Sequence, residues 1–298
     1  MRDFCSIAWT NKRRPGLLMV VSVLFLSALA WTLTPAEELE DEFSDQAGAL
    51  DKVSSAPTDS CHIRPARTPF DAGEWFQFSI QYGIIRAGDA LMQVENIEEI
   101  DGRQCYHLVS KAESNNFFSV FFKVRDRVDS FLDKESFVTR RFSKKILEGG
   151  YRTTFSVEFD HTDRVATYSD GTKMEFSACA QDILSAFFYV RTLDLALGQR
   201  VEIPCHSDKK NYPLEVIVHR KETITTPVGK FDCVVVEPIL KSSGVFRQKG
   251  RLTIWLTDDE YKIPVLMKSK VAVGSISAIL TGMHLINAGG KYARYSKE

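Results

Sequence analysis

Apolar and polar residues alternate with a period of two through most of this chain. In residues 74–82, Phe76, Phe78, Ile80 and Tyr82 fall on one side, and Gln77, Ser79 and Gln81 on the other. Thr153, Phe155, Val157 and Phe159 alternate with Thr154, Ser156 and Glu158. The pattern returns at Leu214, Val216 and Val218, at Leu252, Ile254 and Leu256, and at Val265, Met267, Val271 and Val273 around Ser269. Successive side chains of a strand point to opposite faces, so these runs predict antiparallel strands with one covered and one wetter face. Turn-forming residues separate them: Asp101-Gly102, Glu148-Gly149-Gly150, Asp170-Gly171, Pro227-Val228-Gly229 and Asp258-Asp259. Strands at roughly ten-residue spacing with such turns predict a meander of hairpins.

Two segments break the rhythm. Ile183, Leu184, Phe187, Phe188 and Arg191 recur at helical spacing, and Asp182 precedes them as an N-cap residue. This predicts one amphipathic helix over about 182–193, ended before Gly198. In 115–124, Phe117, Phe118, Val120, Phe121 and Phe122 crowd together without alternation. That segment is either a helical turn or a buried strand.

Composition divides the chain. Lys12, Arg13 and Arg14 precede an apolar run from Leu17 to Leu29, and Ala28-Leu29-Ala30 closes it with small residues. A charged start, a short apolar middle and a small-residue exit describe a secretory signal, with cleavage expected after Ala30. The rival reading is an uncleaved anchor, since the run through Leu33 is near the ~17-residue minimum for spanning a bilayer. From Pro35 to Ser60 there are eight acidic residues against Lys52 alone, and Phe43 is the only aromatic residue. Such a segment buries too little apolar surface to offset its ordering entropy. The expected organisation is a signal peptide over 1–30, an acidic disordered linker over 31–68, a single β-rich domain over 69–288 and a tail over 289–298. A domain of that size fits one barrel or sandwich.

Net charge is −1 overall, and the acidic linker leaves about +3 on residues 61–298. Nucleic-acid binding wants a concentrated basic stripe, so none is expected. Lys123, Arg125 and Arg127, and then Arg140, Arg141, Lys144 and Lys145, read as the wet faces of strands.

The motifs then suggest a family. Gly73-Glu74-Trp75 through Gly83-Ile84-Ile85-Arg86-Ala87-Gly88 resembles the start of the exported bacterial family catalogued as domain of unknown function 3108. Gln181-Asp182-Ile183-Leu184-Ser185-Ala186-Phe187-Phe188-Tyr189-Val190-Arg191 resembles a second part of it. Thr226-Pro227-Val228-Gly229-Lys230-Phe231-Asp232-Cys233, and Trp255 through Glu260 followed by Ile263-Pro264-Val265, complete the likeness over roughly residues 70–285. The resemblance implies an exported protein and brings no established activity. By analogy of fold it also suggests the curved-sheet carriers of lipoproteins. The fold expected is therefore mainly β: a curved antiparallel sheet or open barrel with one covering helix.

Catalytic signals are sparse. The six histidines, His62, His107, His161, His206, His219 and His284, form no ligand spacing, and there is no Gly-x-Ser-x-Gly elbow. Gly244 and Gly250 frame no phosphate loop, and Asp258-Asp259-Glu260 reads as a polar turn rather than a calcium loop. No metal or cofactor is expected. Removal of Cys5 with the signal leaves Cys61, Cys105, Cys179, Cys205 and Cys233, an odd number. Cys179 and Cys205 bracket the helix and are the candidate disulfide, while Cys105 and Cys233 suit small buried positions.

The aromatic clusters remain. Phe117, Phe118, Phe121, Leu184, Phe187, Phe188 and Trp255 either fill a core or line an apolar cavity between sheet and helix. The expectation is a non-enzymatic envelope protein that binds an apolar, lipid-like molecule or an envelope partner. The alternatives are an assembly factor docking another envelope protein, or a hydrolase with a scattered site. Membrane contact is expected only through residues 1–30, if they are retained. The expected N-terminal residue of protein recovered from the envelope is Trp31; an intact mass that retains residues 1–30 identifies an anchor instead.

Overall fold

The computed structural model describes residues 63–240, 251–271 and 274–286. The expected signal segment, most of the acidic linker, Gly244 to Gly250 and the tail lie outside them. Residues 63–68, assigned to the linker, are ordered onto the domain. Ile63 donates to Ser136 O at 3.3 Å and packs on the core, and Arg67 pairs with Glu260.

Fourteen strands form one antiparallel sheet. The first eight are β1 (Trp75–Tyr82), β2 (Ile85–Ile100), β3 (Arg103–Ser114), β4 (Arg125–Asp133), β5 (Thr139–Glu148), β6 (Tyr151–Asp160), β7 (Val165–Tyr168) and β8 (Lys173–Glu175). The rest are β9 (Arg200–Ser207), β10 (Lys210–Thr226), β11 (Gly229–Leu240), β12 (Leu252–Thr257), β13 (Pro264–Lys270) and β14 (Ser275–His284). Helix α1 (Asn116–Phe121) interrupts β3 and β4, and α2 (Ile183–Val190) joins β8 to β9. The chain therefore starts in the middle of the sheet and steps outward by hairpins to the β8 edge. It crosses through α2 to the opposite edge at β9 and steps back until β14 pairs with β1.

Bulges curl this sheet. Register shifts leave an extra residue in β2 (Ala87 and Glu95), β5 (Arg140), β10 (His219), β13 (Val265) and β14 (Thr281), and each bends its strand and increases the local twist. Gly88 lets β2 and β3 approach, since a Cβ there would lie 2.0 Å from Glu113 O. The two edges meet through side chains rather than a backbone ladder, so the sheet stays open. Asn211 Nδ2 donates to Glu175 O at 2.8 Å, and Lys144 pairs with Asp208 at 2.6 Å. Tyr168 accepts from Lys209 N and donates to His206 Nε2 at 2.9 Å, while His206 Nδ1 donates to Asn211. Burial holds His206 below its usual pKa, which suits this neutral tautomer.

Helix α2 lies against the concave face, fixed at both ends by buried polar groups. Asp182 is the N-cap: Oδ1 accepts from Leu184 N and Ser185 N at 2.7 and 3.0 Å. Its Oδ2 accepts from Ser130 and Thr139, which ties the helix start to β4 and β5. At the other end, Arg191 is fully buried and bidentate to Glu74, at 2.7 and 3.0 Å. The guanidinium also donates to Tyr261 O and lies over the rings of Phe70, Phe76 and Phe188. Burial pushes the Glu74 carboxyl up, against the opposing pull of Arg191. Removing one member of a buried pair strands the other charge. Glu74→Gln is therefore expected to cost about 3–5 kcal/mol in urea unfolding, and Glu74→Met with Arg191→Met to cost clearly less. Equal losses in the two variants would mean that the pair is not coupled.

Candidate functional site

A narrow apolar cleft lies between α2 and the sheet. One wall is the helix, where Ile183, Leu184, Phe187 and Val190 face the cleft at spacings of one, four and seven. The other wall comes from alternate residues of three consecutive strands: Leu214 and Val216 of β10, Val236 and Pro238 of β11, and Leu252, Ile254 and Leu256 of β12. Met92 of β2 completes it. The cleft holds about 580 Å³ of empty space, part of it open to solvent, of which about 50 Å³ is wide enough for the centre of a water molecule.

The chemistry of these walls is uniform. Every lining side chain is apolar, so the cleft has no group to orient a polar molecule or to transfer a proton. Water entering it would find none of the polar partners that a buried water needs. An apolar group entering it gains roughly 0.8 kcal/mol for each methylene removed from water.

The structure separates the sequence candidates. Leu184 and Phe187 line the cleft. Phe188 instead packs in the core, edge-on to Phe70 at 5.0 Å and beneath Arg191. Trp255 sits between the cleft residues Ile254 and Leu256 on β12, so it faces the other way, and its Nε1 donates to Glu222. The aromatic cluster of 117–122 forms neither a strand nor a cleft wall. Asn115 caps α1 by accepting from Phe118 N at 2.9 Å, and the short helix leaves Phe117 and Phe121 exposed and Phe118 half-buried. Sequence reasoning thus missed the β10, β11 and β12 wall as a site. Alternation marked the β10 and β12 residues as facing one way, but not Val236 and Pro238 of β11, nor that the helix stops short of the wall.

The expected bridge between Cys179 and Cys205 is not made. Cys205 is a free thiol whose side chain is buried in the core, where burial raises its pKa. The backbone passes close by, as an isolated bridge between Gln181 and Cys205, but the sulfur faces the apolar side of β9. Cys179 is disulfide-bonded to another cysteine. Cys105 and Cys233 are free and buried, and burial pushes both thiols up to about 12.

The sequence profile of a family described as "protein of unknown function (DUF3108)" matches residues 77–281. The chain belongs to that family. In this DUF3108 protein the matched span takes in nearly the whole sheet and both helices. None of the curated proteins matches the sequence. The fold is similar to a solved beta-barrel-like protein of domain of unknown function DUF1849 from Brucella abortus. The TM-score is 0.51 at 8% identity, over 72% of this chain and 98% of that one. A candidate lipoprotein from Parabacteroides distasonis aligns at a TM-score of 0.34 and 11% identity, over 73% and 98% of the two chains. The likeness to the Brucella protein is one of fold alone.

One ionisable pair lies beside α1 rather than in the cleft. Burial, and then the Glu148 carboxylate, push Asp126 up to about 8, and the two carboxyls share a hydrogen bond. Asp126 Oδ1 also accepts from Leu147 N at 3.0 Å. With its folded pKa above the unfolded value near ~4, the native state holds the extra proton between those limits. Its stabilisation is complete below that window and is lost as pH rises through about 8. Wild type is therefore expected to lose stability relative to Asp126→Asn between pH 5 and 9, read from urea midpoints. Parallel profiles for the two proteins would refute the shared proton.

Proposed function

We propose that this protein is a non-enzymatic, extracytoplasmic binder of an apolar, lipid-like chain, with the cleft beneath α2 as its site. The observation that carries this reading is the wall chemistry: helix and sheet face each other across open space with apolar groups alone. A packed core of the same residues would close that space, because interiors pack to crystal-like density. The basic, apolar and small-residue sequence of 1–30 supports export. An envelope protein as the bound partner is the second reading, and it lacks a comparable surface inside the cleft.

Two neighbouring phenylalanines separate cleft from core. Phe188 is fully buried against Phe70 and Arg191, whereas Phe187 is part-buried on the cleft wall. Phe188→Ala is expected to cost about 3–5 kcal/mol in urea unfolding. Phe187→Ala should cost distinctly less and change the affinity for a fluorescent fatty acid at least several-fold. If neither wild type nor Phe187→Ala binds the probe, while both variants lose similar stability, the cleft is core and the partner-docking reading takes its place.

A further inference from the structure

Among the described residues seven large apolar side chains stand out in solvent; Leu197 and Tyr151 are two, and the other five are Ile84 at 96% exposure, Val120 at 80%, Phe117 and Phe121 at 66%, and Ile85 at 55%. Strand register places all five at one end of the sheet. Tyr82 pairs with Ile85 across the β1–β2 turn, Gly88 with Ser114, and Glu113 with Arg125, so that turn and α1 are neighbours. Asn115 fastens them together, donating from its backbone N to Ala87 O and from Nδ2 to Arg86 O, both at 2.8 Å. In the other direction Tyr82 pairs with Ile276, Ile276 with Ser269, and Ser269 with Leu252. Leu252 lines the cleft, so the cleft reaches this same end.

Charge at this end is complementary to one kind of surface. Lys123 follows the α1 C-cap Phe122, and Lys145 and Arg152 belong to the hairpin that turns at Gly149-Gly150. All three are exposed, and among the described residues none makes an ion pair. Arg86 and Arg125 add cations balanced by Asp89 and Glu113. The turn beneath is shaped for the helix, since a Cβ on Gly149 would meet the Phe122 ring at 2.6 Å. Scattered exposed apolar residues are ordinary, but a grouped set marks an interaction surface. Protruding phenylalanine and isoleucine beside uncompensated lysine and arginine are the pattern of segments that lie in a lipid interface.

We propose that this end of the sheet docks on an anionic lipid surface. Ile84, Phe117, Val120 and Phe121 enter the boundary between headgroups and acyl chains, and Lys123, Lys145 and Arg152 meet the lipid phosphates. Sequence reasoning expects membrane contact only through residues 1–30, if they are retained; this surface would be a second and separate contact. It does not require the cleft to take a ligand, so either reading can fail without the other.

The test uses the full chain with an environment-sensitive nitrobenzoxadiazole label on Val120→Cys. The same label on Glu99→Cys reports the opposite end of β2, and unsubstituted protein labelled alike sets the background. Vesicles of phosphatidylglycerol and phosphatidylcholine should shift the emission at position 120 to the blue and leave position 99 unchanged. Pure phosphatidylcholine should give a much weaker response. Lys123→Gln and Arg152→Gln should each weaken binding to the anionic vesicles by about fivefold, and Phe121→Asp should abolish the shift. Equal responses at 120 and 99 would assign membrane binding to the N-terminal segment and overturn the proposal. A shift at 120 that needs no vesicles and tracks protein concentration would assign the surface to a second copy of the chain, and would overturn it too.

Discussion

The buried Arg191–Glu74 pair decides where α2, the longer of the two helices among the described residues, can sit. A guanidinium removed from water is costly unless a carboxylate meets it with good geometry. Here the bidentate pair and Tyr261 O take up the two terminal nitrogens and three aromatic faces cover the group, while Nε is buried without a hydrogen-bond partner. Asp182 fixes the other end of α2 through Ser130 and Thr139. The helix can neither slide along the sheet nor rotate without stranding one of these charges. Moving it to fill about 50 Å³ of the cleft would recover only ~1 kcal/mol, at about 24 cal/mol per Å³. Breaking the ion pair costs about 3–5 kcal/mol. The loss exceeds the gain, and the cleft stays open.

The same pair explains the chain's unusual route. A fourteen-stranded meander that begins at its middle must bring its first and last strands together, as β1 and β14. It must also carry the chain from one edge of the sheet to the other. Glu74 opens β1, Arg191 ends the crossover helix, and Tyr261 lies in the turn before β13. One guanidinium therefore joins the start of the sheet, the crossover and the returning half. The seam between β8 and β9 then needs only side-chain contacts such as Tyr168–His206, because the helix behind it already spans the gap.

Much of this was legible in the sequence because the sheet has one covered face. Period-two runs gave the strands, Asp182 gave the helix start, and the motifs around Glu74 and Arg191 gave the family. What those motifs encode is the clamp on the helix: Leu184 and Phe187 reach the cleft, whereas Asp182, Phe188 and Arg191 hold the helix in place. The site was less legible for a geometric reason. Alternation tells which side of Leu214 or Ile254 faces inward, but the distance to the opposite wall is set by long-range packing. The 117–122 cluster was ambiguous for another reason, since six apolar or small residues suit either a core strand or an exposed turn of helix. The Asn115 cap and the register of β3 with β4 decide it, and only the second is nonlocal. The Cys179–Cys205 pairing was misjudged because nearness along the backbone does not fix the direction of a strand side chain.

Cleft and exposed tip share one end of the sheet, and that placement limits what either can do alone. A hydrocarbon chain leaving the cleft for water would give up roughly 0.8 kcal/mol per methylene. An exit near Leu252, on the row that continues through Tyr82 to Ile85 and α1, shortens the wet part of that path if the tip is seated in lipid. On the proposed reading, purely apolar walls would hold such a chain without specifying its head, and selection among lipids would fall to the cationic fringe outside. Lys123, Lys145 and Arg152 are on flexible stems at the surface, where each is worth about 1 kcal/mol toward an anionic membrane and is screened within a Debye length. If both proposals hold, the rigid half of the design is apolar and buried, and the discriminating half is charged, exposed and sensitive to salt.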